Sequence, residues 1–199
     1  GRNLETVTGA QTIDSFLPLK SDLWLTACAL YLTELVNQFT LDDTENYALF
    51  QLLLSTMQNL CLPCNRELTL RYFEMRLLEA VGYRPQLHQC IACHKPLEPL
   101  PNTFSPGAGG MLCPTCSPGE YLVYTLSVNA QKVLRLLQSG DYETVNRLKT
   151  DAALASEVER VLGGYIRYLL EREVKSAAWL DSLREEIART PRTTAGTKL

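Results

Sequence analysis

Six of the seven cysteines in this 199-residue chain stand in Cys-x-x-Cys pairs: Cys61 with Cys64, Cys90 with Cys93, and Cys113 with Cys116. Two residues between thiols let one tight turn aim both sulfurs at one ion, and two such turns complete a tetrahedron. The later two pairs form C-x2-C-x19-C-x2-C across "CIACHKPLEPLPNTFSPGAGGMLCPTC", inside the spacing of structural zinc sites. Cys90, Cys93, Cys113 and Cys116 are therefore the expected zinc ligands. Four thiolates leave the ion no open position for water, and the chain contains no His-x-Glu, so the expected duty is structural rather than catalytic.

The remaining chemistry-bearing residues have blander readings. His94 directly follows Cys93, and adjacent residues seldom bind one ion; His88 suits a surface or supporting position. "CLPC" at Cys61 and Cys64 has the form of a redox pair, yet that chemistry belongs in a βαβ context the chain lacks. Two small residues in an interhelical turn is the plainer account, with a shared second metal site or a redox pair as the alternatives. Cys28 falls on an apolar helical stripe and reads as a small core residue.

The elements that must position the cysteines are helices. "SDLWLTACALYLTELVNQF" repeats Leu25, Cys28, Leu32, Leu35, Val36 and Phe39 at three- and four-residue steps, with Ser21 as a candidate cap. A second helix is expected from Thr44 to Leu60, with Leu49, Leu52, Leu53, Thr56, Met57 and Leu60 inward. A third follows Asn65 and stops at Gly82, with Pro85 shortly after. Beyond the cysteines come helices over 127–138, 142–148 and 156–172, the last burying Val158, Val161, Leu162, Tyr165, Tyr168 and Leu169. A final amphipathic segment packs through Trp179, Leu180, Leu183 and Ile187. "NTFSPGAGGMLC" suits a small hairpin leading into the second cysteine pair.

Upstream, "LETVT" at 4–8 reads as a lone strand whose partners are missing, and "SFLPLKS" as a linker. Gly1 at the start suits a processed or truncated piece, and the tail "TPRTTAGTKL" has no periodicity and is expected to be disordered.

With 46% hydrophobic residues, a net charge of −3 and a pI near 5.5, the chain can bury a core but does not wrap nucleic acid by bulk positive charge. No run reaches the length of a membrane span and no signal segment opens the chain, so a cytoplasmic, reducing compartment is expected. Arg160, Arg167, Arg172 and Lys175 are interspersed with glutamates, which suits a solvated helix face, with a phosphate-contacting patch as the sharper alternative.

The runs "RYFEMRLLEAVGYRPQLHQCIACHKPL", "FSPGAGGMLCPTC", "LSVNAQKVLRLLQSG" and "YIRYLLEREVKSAAWL" together resemble the bacterial DNA-repair family RecO, in order as well as in wording, over residues 20 to 185. The resemblance implies a mainly α fold: a helical domain over 17–89 and 117–187, a zinc-finger insertion over 90–116, a remnant of an N-terminal OB-fold over 1–16, and a disordered tail over 188–199. It implies a non-enzymatic recombination mediator, nucleoid-associated, that binds single- and double-stranded DNA, anneals strands, pairs with RecR, receives the C-terminal tail of single-stranded-DNA-binding protein and assists RecA loading. Its zinc ligands carry over to Cys90, Cys93, Cys113 and Cys116; its OB-fold DNA surface does not carry over, because those residues are absent here. His94 stands where many family members have Gly. A groove for an acidic, aromatic-ended tail needs apolar walls and a few cations, which Arg66, Arg71 and Arg76 or Arg160, Arg167 and Lys175 could supply. Two other readings compete: an unrelated helical zinc-ribbon adaptor or transcription factor, and a thiol oxidoreductase using Cys61 and Cys64.

Overall fold

The computed structural model describes residues 8–40, 45–117, 119 and 122–189. Among them the order is α1 (Leu17–Ser21), α2 (Leu23–Phe39), α3 (Tyr47–Leu60), α4 (Arg66–Ala80), β1 (Asn102–Ser105), β2 (Gly110–Leu112), β3 (Tyr124–Leu126), α5 (Val128–Ser139), α6 (Tyr142–Asn146), α7 (Ala152–Leu170) and α8 (Lys175–Arg189). The fold is mainly α, with a three-stranded sheet in the segment between α4 and α5. The strand expected at 4–8 lies outside the described residues except for Thr8, as do the Thr44 cap and residues 190–199.

Six helices start in the same way. Asp22, Asn46, Asn65, Ser127, Asp141 and Asp151 each accept a hydrogen bond from the backbone N–H three residues on, meeting one of the donors a helix start leaves unpaired. These caps and the helix bounds correct several expectations. Asp22, not Ser21, opens α2; Ser21 instead ends α1, so the expected linker is a short helix. Asp151 starts α7 a turn before Ser156, because Ala152, Ala153 and Leu154 are good helix formers once a cap precedes them. α8 runs on to Arg189, into the start of the expected tail.

At the centre lies α4, which packs against α2, α3, α5, α6 and α7. Its Leu68, Leu70, Phe73, Met75, Leu77 and Leu78 are buried, and so are Thr69, Arg71 and Glu74, so it is covered nearly all round. α2 buries Leu25, Cys28, Tyr31, Leu32 and Leu35 against this centre, which confirms Cys28 as core. α8 docks on α2, where Glu34 accepts from the backbone N–H groups of Lys175 (3.0 Å) and Ser176 (2.8 Å) and from the Ser176 hydroxyl. A carboxylate at a helix start also meets the positive end of its dipole. Of the side chains expected inside, Tyr168, Trp179 and Ile187 are exposed, Ile187 along the wider groove described below.

The expected hairpin is present: β1 and β2 pair antiparallel, with Phe104 opposite Met111. β3 was not foreseen; its three residues join the other edge of β1, with Phe104 opposite Tyr124. The Gly109-Gly110 pair has two separate reasons. Gly109 has φ +68°, and a Cβ on Gly110 would come within 2.8 Å of the Gln86 carbonyl oxygen, where the chain before the first cysteine pair runs beside β2.

Candidate metal centre and arginine cleft

Both cysteine knuckles are built by short-range backbone bonds. His94 N–H donates to the Cys90 carbonyl at 2.8 Å and Cys90 N–H to the Lys95 carbonyl at 2.9 Å. In the second knuckle Cys116 N–H donates to the Cys113 carbonyl at 3.0 Å and Ser117 N–H to the same oxygen at 3.1 Å. His94 sits at φ +59°, the left-handed conformation that favours glycine.

These turns bring the ligand atoms of Cys90, Cys93, Cys113 and Cys116 within 4.8 Å of one another, and the Cys93 and Cys113 sulfurs to 3.9 Å. That is far beyond the roughly 2.05 Å of a disulfide. Cys90 is buried and the other three are partly exposed. Burial works against ionisation of Cys90, yet N–H donation from Cys113, Cys93 and Ala92 holds its thiol down at about 6. Cys116 is pushed up to about 12, first through its hydrogen bond with Cys113. Thiols this close cannot all ionise beside one another, and a bound cation would remove that obstacle. The four cysteines can therefore hold a metal ion.

A row on α5 supports the segment and was missed in the sequence. Gln131 donates to the carbonyls of Leu100 (2.8 Å) and Leu126 (3.1 Å), Arg135 to that of Leu87 (2.9 Å), and Gln138 to that of Pro85 (2.8 Å). Asn102 in turn donates to Gln131 at 2.9 Å. The spacing of four and then three residues, which puts the three side chains on one helix face, was the available signal. Irregular backbone carries carbonyls that no ladder satisfies, and this row answers several of them.

Cys61 and Cys64 are not part of the metal cluster. Cys61 caps the C-terminal end of α3, where the dipole disfavours a thiolate, and burial, followed by Asp14, pushes its thiol up. The activation that a redox reading needs is the reverse of this.

The six cations expected at a partner surface separate into two sets. Arg71, Arg160 and Arg167 come together in a cleft of about 320 Å³ between α2, α4, α7 and α8, joined by Arg184, which the sequence reading missed. Glu159 and Asp181 also line it, and burial and then Glu159 push the Asp181 carboxyl up. Tyr31, Ala177 and Leu180 supply less polar wall. Arg71 is itself buried, paired with Glu74 at 2.9 Å and Glu159 at 3.5 Å, and its Nε lacks a hydrogen-bond partner. Arg160 and Arg167 are exposed.

Arg66, Arg76 and Lys175 lie elsewhere. Arg66 pairs with Asp22 at 3.6 Å beside a wider groove of about 590 Å³ that also holds Trp24 and Leu183. Arg76 is structural: it spans to the carbonyls of Gln138 and Gly140, bonds Glu79 and stacks on Tyr72. Lys175 starts α8, where its backbone N–H serves Glu34.

A helical body carrying a four-thiol cluster beside a small sheet defines a helical domain with a candidate metal centre. Residues 20–178 match the family described as "Recombination protein O C terminal". The chain is 45% identical over 183 residues to DNA repair protein RecO of Dehalococcoides mccartyi strain 195, covering 92% of this chain and 72% of that protein. It is 41% identical over 185 residues to RecO of Roseiflexus sp. RS-1, covering 93% and 65%, and 33% identical over 189 residues to RecO of Symbiobacterium thermophilum, covering 92% and 74%. The chain belongs to the RecO family. That membership removes the reading as an unrelated adaptor. Among the described residues no helix is long and apolar enough to cross a membrane.

Proposed function

We propose that this chain acts in DNA repair and recombination as the zinc-stapled helical part of a mediator, a binding protein rather than an enzyme. In this reading residues 17–89 and 117–187 are the helical domain, 90–116 the zinc insertion and 1–16 the end of an OB-fold. The zinc assignment rests on the donor set: a tetrahedron with Zn–S bonds of about 2.3 Å has S–S edges of about 3.8 Å. The 3.9 Å between Cys93 and Cys113 agrees with that edge. Elemental analysis of protein purified without chelator should give one zinc per chain; a metal-free protein would overturn the assignment.

The observation that carries the partner reading is the cleft, where four arginines face two carboxylates beside Tyr31 and Leu180. Such a site suits an acidic segment with an apolar end, and the C-terminal tail of single-stranded-DNA-binding protein is the proposed occupant. RecR pairing, RecA loading and strand annealing complete the role, with DNA contacted chiefly through the OB-fold. The test is fluorescence anisotropy of a labelled tail peptide with this chain, beside single-stranded DNA over a salt series. The peptide should bind, and Arg167→Ala should weaken it severalfold, while DNA binding stays weak and salt-sensitive. No peptide binding near physiological salt, or no change with Arg167→Ala, would defeat the assignment.

A further inference from the structure

We propose that the metal segment positions Arg160 in the arginine cleft, through Tyr124 seated on α7 at Gly164, so that the four-thiol centre governs how well the cleft holds an anionic partner. The inference rests on the reading of that cleft as a partner site and deepens it.

The connection is continuous. Cys113 follows β2 directly, and Ile91 N–H, from the first knuckle, donates to the Met111 carbonyl of β2 at 2.9 Å. β2 pairs with β1 through Thr103 and Leu112, and β1 pairs with β3 through Thr103 and Thr125 and through Phe104 and Tyr124. Two strand spacings, roughly 10 Å, thus separate the strand the knuckles grip from the one that carries Tyr124.

On the helix side, Tyr124 occupies the space a side chain would need. A Cβ at Gly164 would fall within 2.8 Å of Tyr124 Cε2 and closer still to its hydroxyl. Glycine inside a helix is unfavourable relative to alanine, and here the close approach of the ring requires it. Arg160 lies one turn before Gly164 on α7. Its guanidinium stands 5.5 Å from the Tyr124 ring centre and donates to the Thr125 carbonyl at 3.3 Å. An exposed arginine with a ring to stack on and a fixed carbonyl to bond loses less freedom when it meets an anion.

The two ends of this connection differ in what holds them. Around α4 the helices share one apolar core that also takes in Phe104, Met111 and Leu126 of the strands, whereas the knuckles at the far edge of the sheet have turns, polar support from α5 and four thiols. Metal removal therefore loosens the sheet before the helices, and with it the platform under Arg160.

The test uses the whole chain and, as probe, an acidic peptide with an aromatic residue at its free C-terminus. Gly164→Ala displaces Tyr124 without altering a thiol or a cleft-lining side chain. It should weaken the peptide roughly two- to fivefold, the size of a lost cation–π contact, with metal content unchanged. In an Arg160→Ala background the same substitution should have no further effect. In parallel, hydrogen exchange with and without chelator should show β3 amides losing protection while α2 and α4 keep theirs. The proposal falls if Gly164→Ala leaves affinity unchanged, if its effect persists undiminished without Arg160, or if β3 stays protected when metal is gone. Failure of the unaltered chain to bind the peptide would remove the partner reading, and the exchange pattern would still decide whether the metal segment holds the Arg160 platform.

Discussion

Two clusters of polar side chains in this molecule are built by opposite means. Four thiols gather within 4.8 Å at a partly exposed site and bring no counter-charge of their own. Beneath the cleft, Arg71, Glu74, Glu159, Glu67 and Arg184 alternate in sign, with Arg184 at 3.0 Å from Glu67 and 3.1 Å from Glu159, and Tyr31 donating to Glu74 at 2.7 Å. The mixed cluster pairs its charges internally, although Arg71 Nε and Glu74 Oε2 lack hydrogen-bond partners, so it ties α2, α4, α7 and α8 together without a ligand. The thiol cluster has no such internal pairing, so a cation held there would be what ties its segment together.

The contrast can be broken from either side. The largest effect belongs to the metal, since structural zinc contributes on the order of 10 kcal/mol to the fold it closes. Cys90→Ser with Cys113→Ser should abolish metal binding and open residues 90–117 to proteolysis, while the helical circular dichroism signal stays near that of the unaltered chain; wholesale loss of helix would show that the two regions are one unit. Next, Glu74→Ala strips a buried partner from Arg71 and should cost about 3–5 kcal/mol in urea unfolding. A loss below 1 kcal/mol would show that Glu159 suffices.

The same carboxyl has a pH signature. Burial, opposed by Arg71, raises Glu74 from 4.5 to about 7, so the folded chain holds a proton the unfolded chain releases. Its stabilising contribution is full below about 4.5 and is lost as pH rises through about 7. The melting temperature should fall between those values, and Glu74→Gln should flatten that decline; an identical slope in the variant would assign it to other groups. The smallest effect is at the first knuckle, where His94→Gly relieves a positive φ at some entropic cost and should stabilise the metal-bound chain by a few tenths of a kcal/mol. A destabilised variant would mean that the imidazole contributes more than its backbone strain removes.

Much of the helical body was legible, because its signals are local. Asn65 before an apolar helix, Gly82 after it and Ser127 before α5 act within a turn, and all three sit where the pattern put them. The gathering of the four cysteines was legible for the same reason, since each knuckle needs only two intervening residues. What failed was either locally ambiguous or decided by a partner farther along the chain. Asp22 and Ser21 are neighbours and both good caps, and the choice fell to which one α1 had already used. Three residues of β3 carry no period of their own and are a strand because β1 offers an unpaired edge.

By itself the sequence determined most helices to within a turn or so, which thiols cluster where an ion could be held, and that the chain has the makings of a RecO helical domain. Only the tertiary structure decided which cations act together. Arg71, Arg160, Arg167 and Arg184 belong to three helices, and their meeting depends on how α4, α7 and α8 pack rather than on any spacing along the chain. Caps and knuckles are written in neighbours, whereas a cleft is made by burial, which brings together residues more than a hundred positions apart.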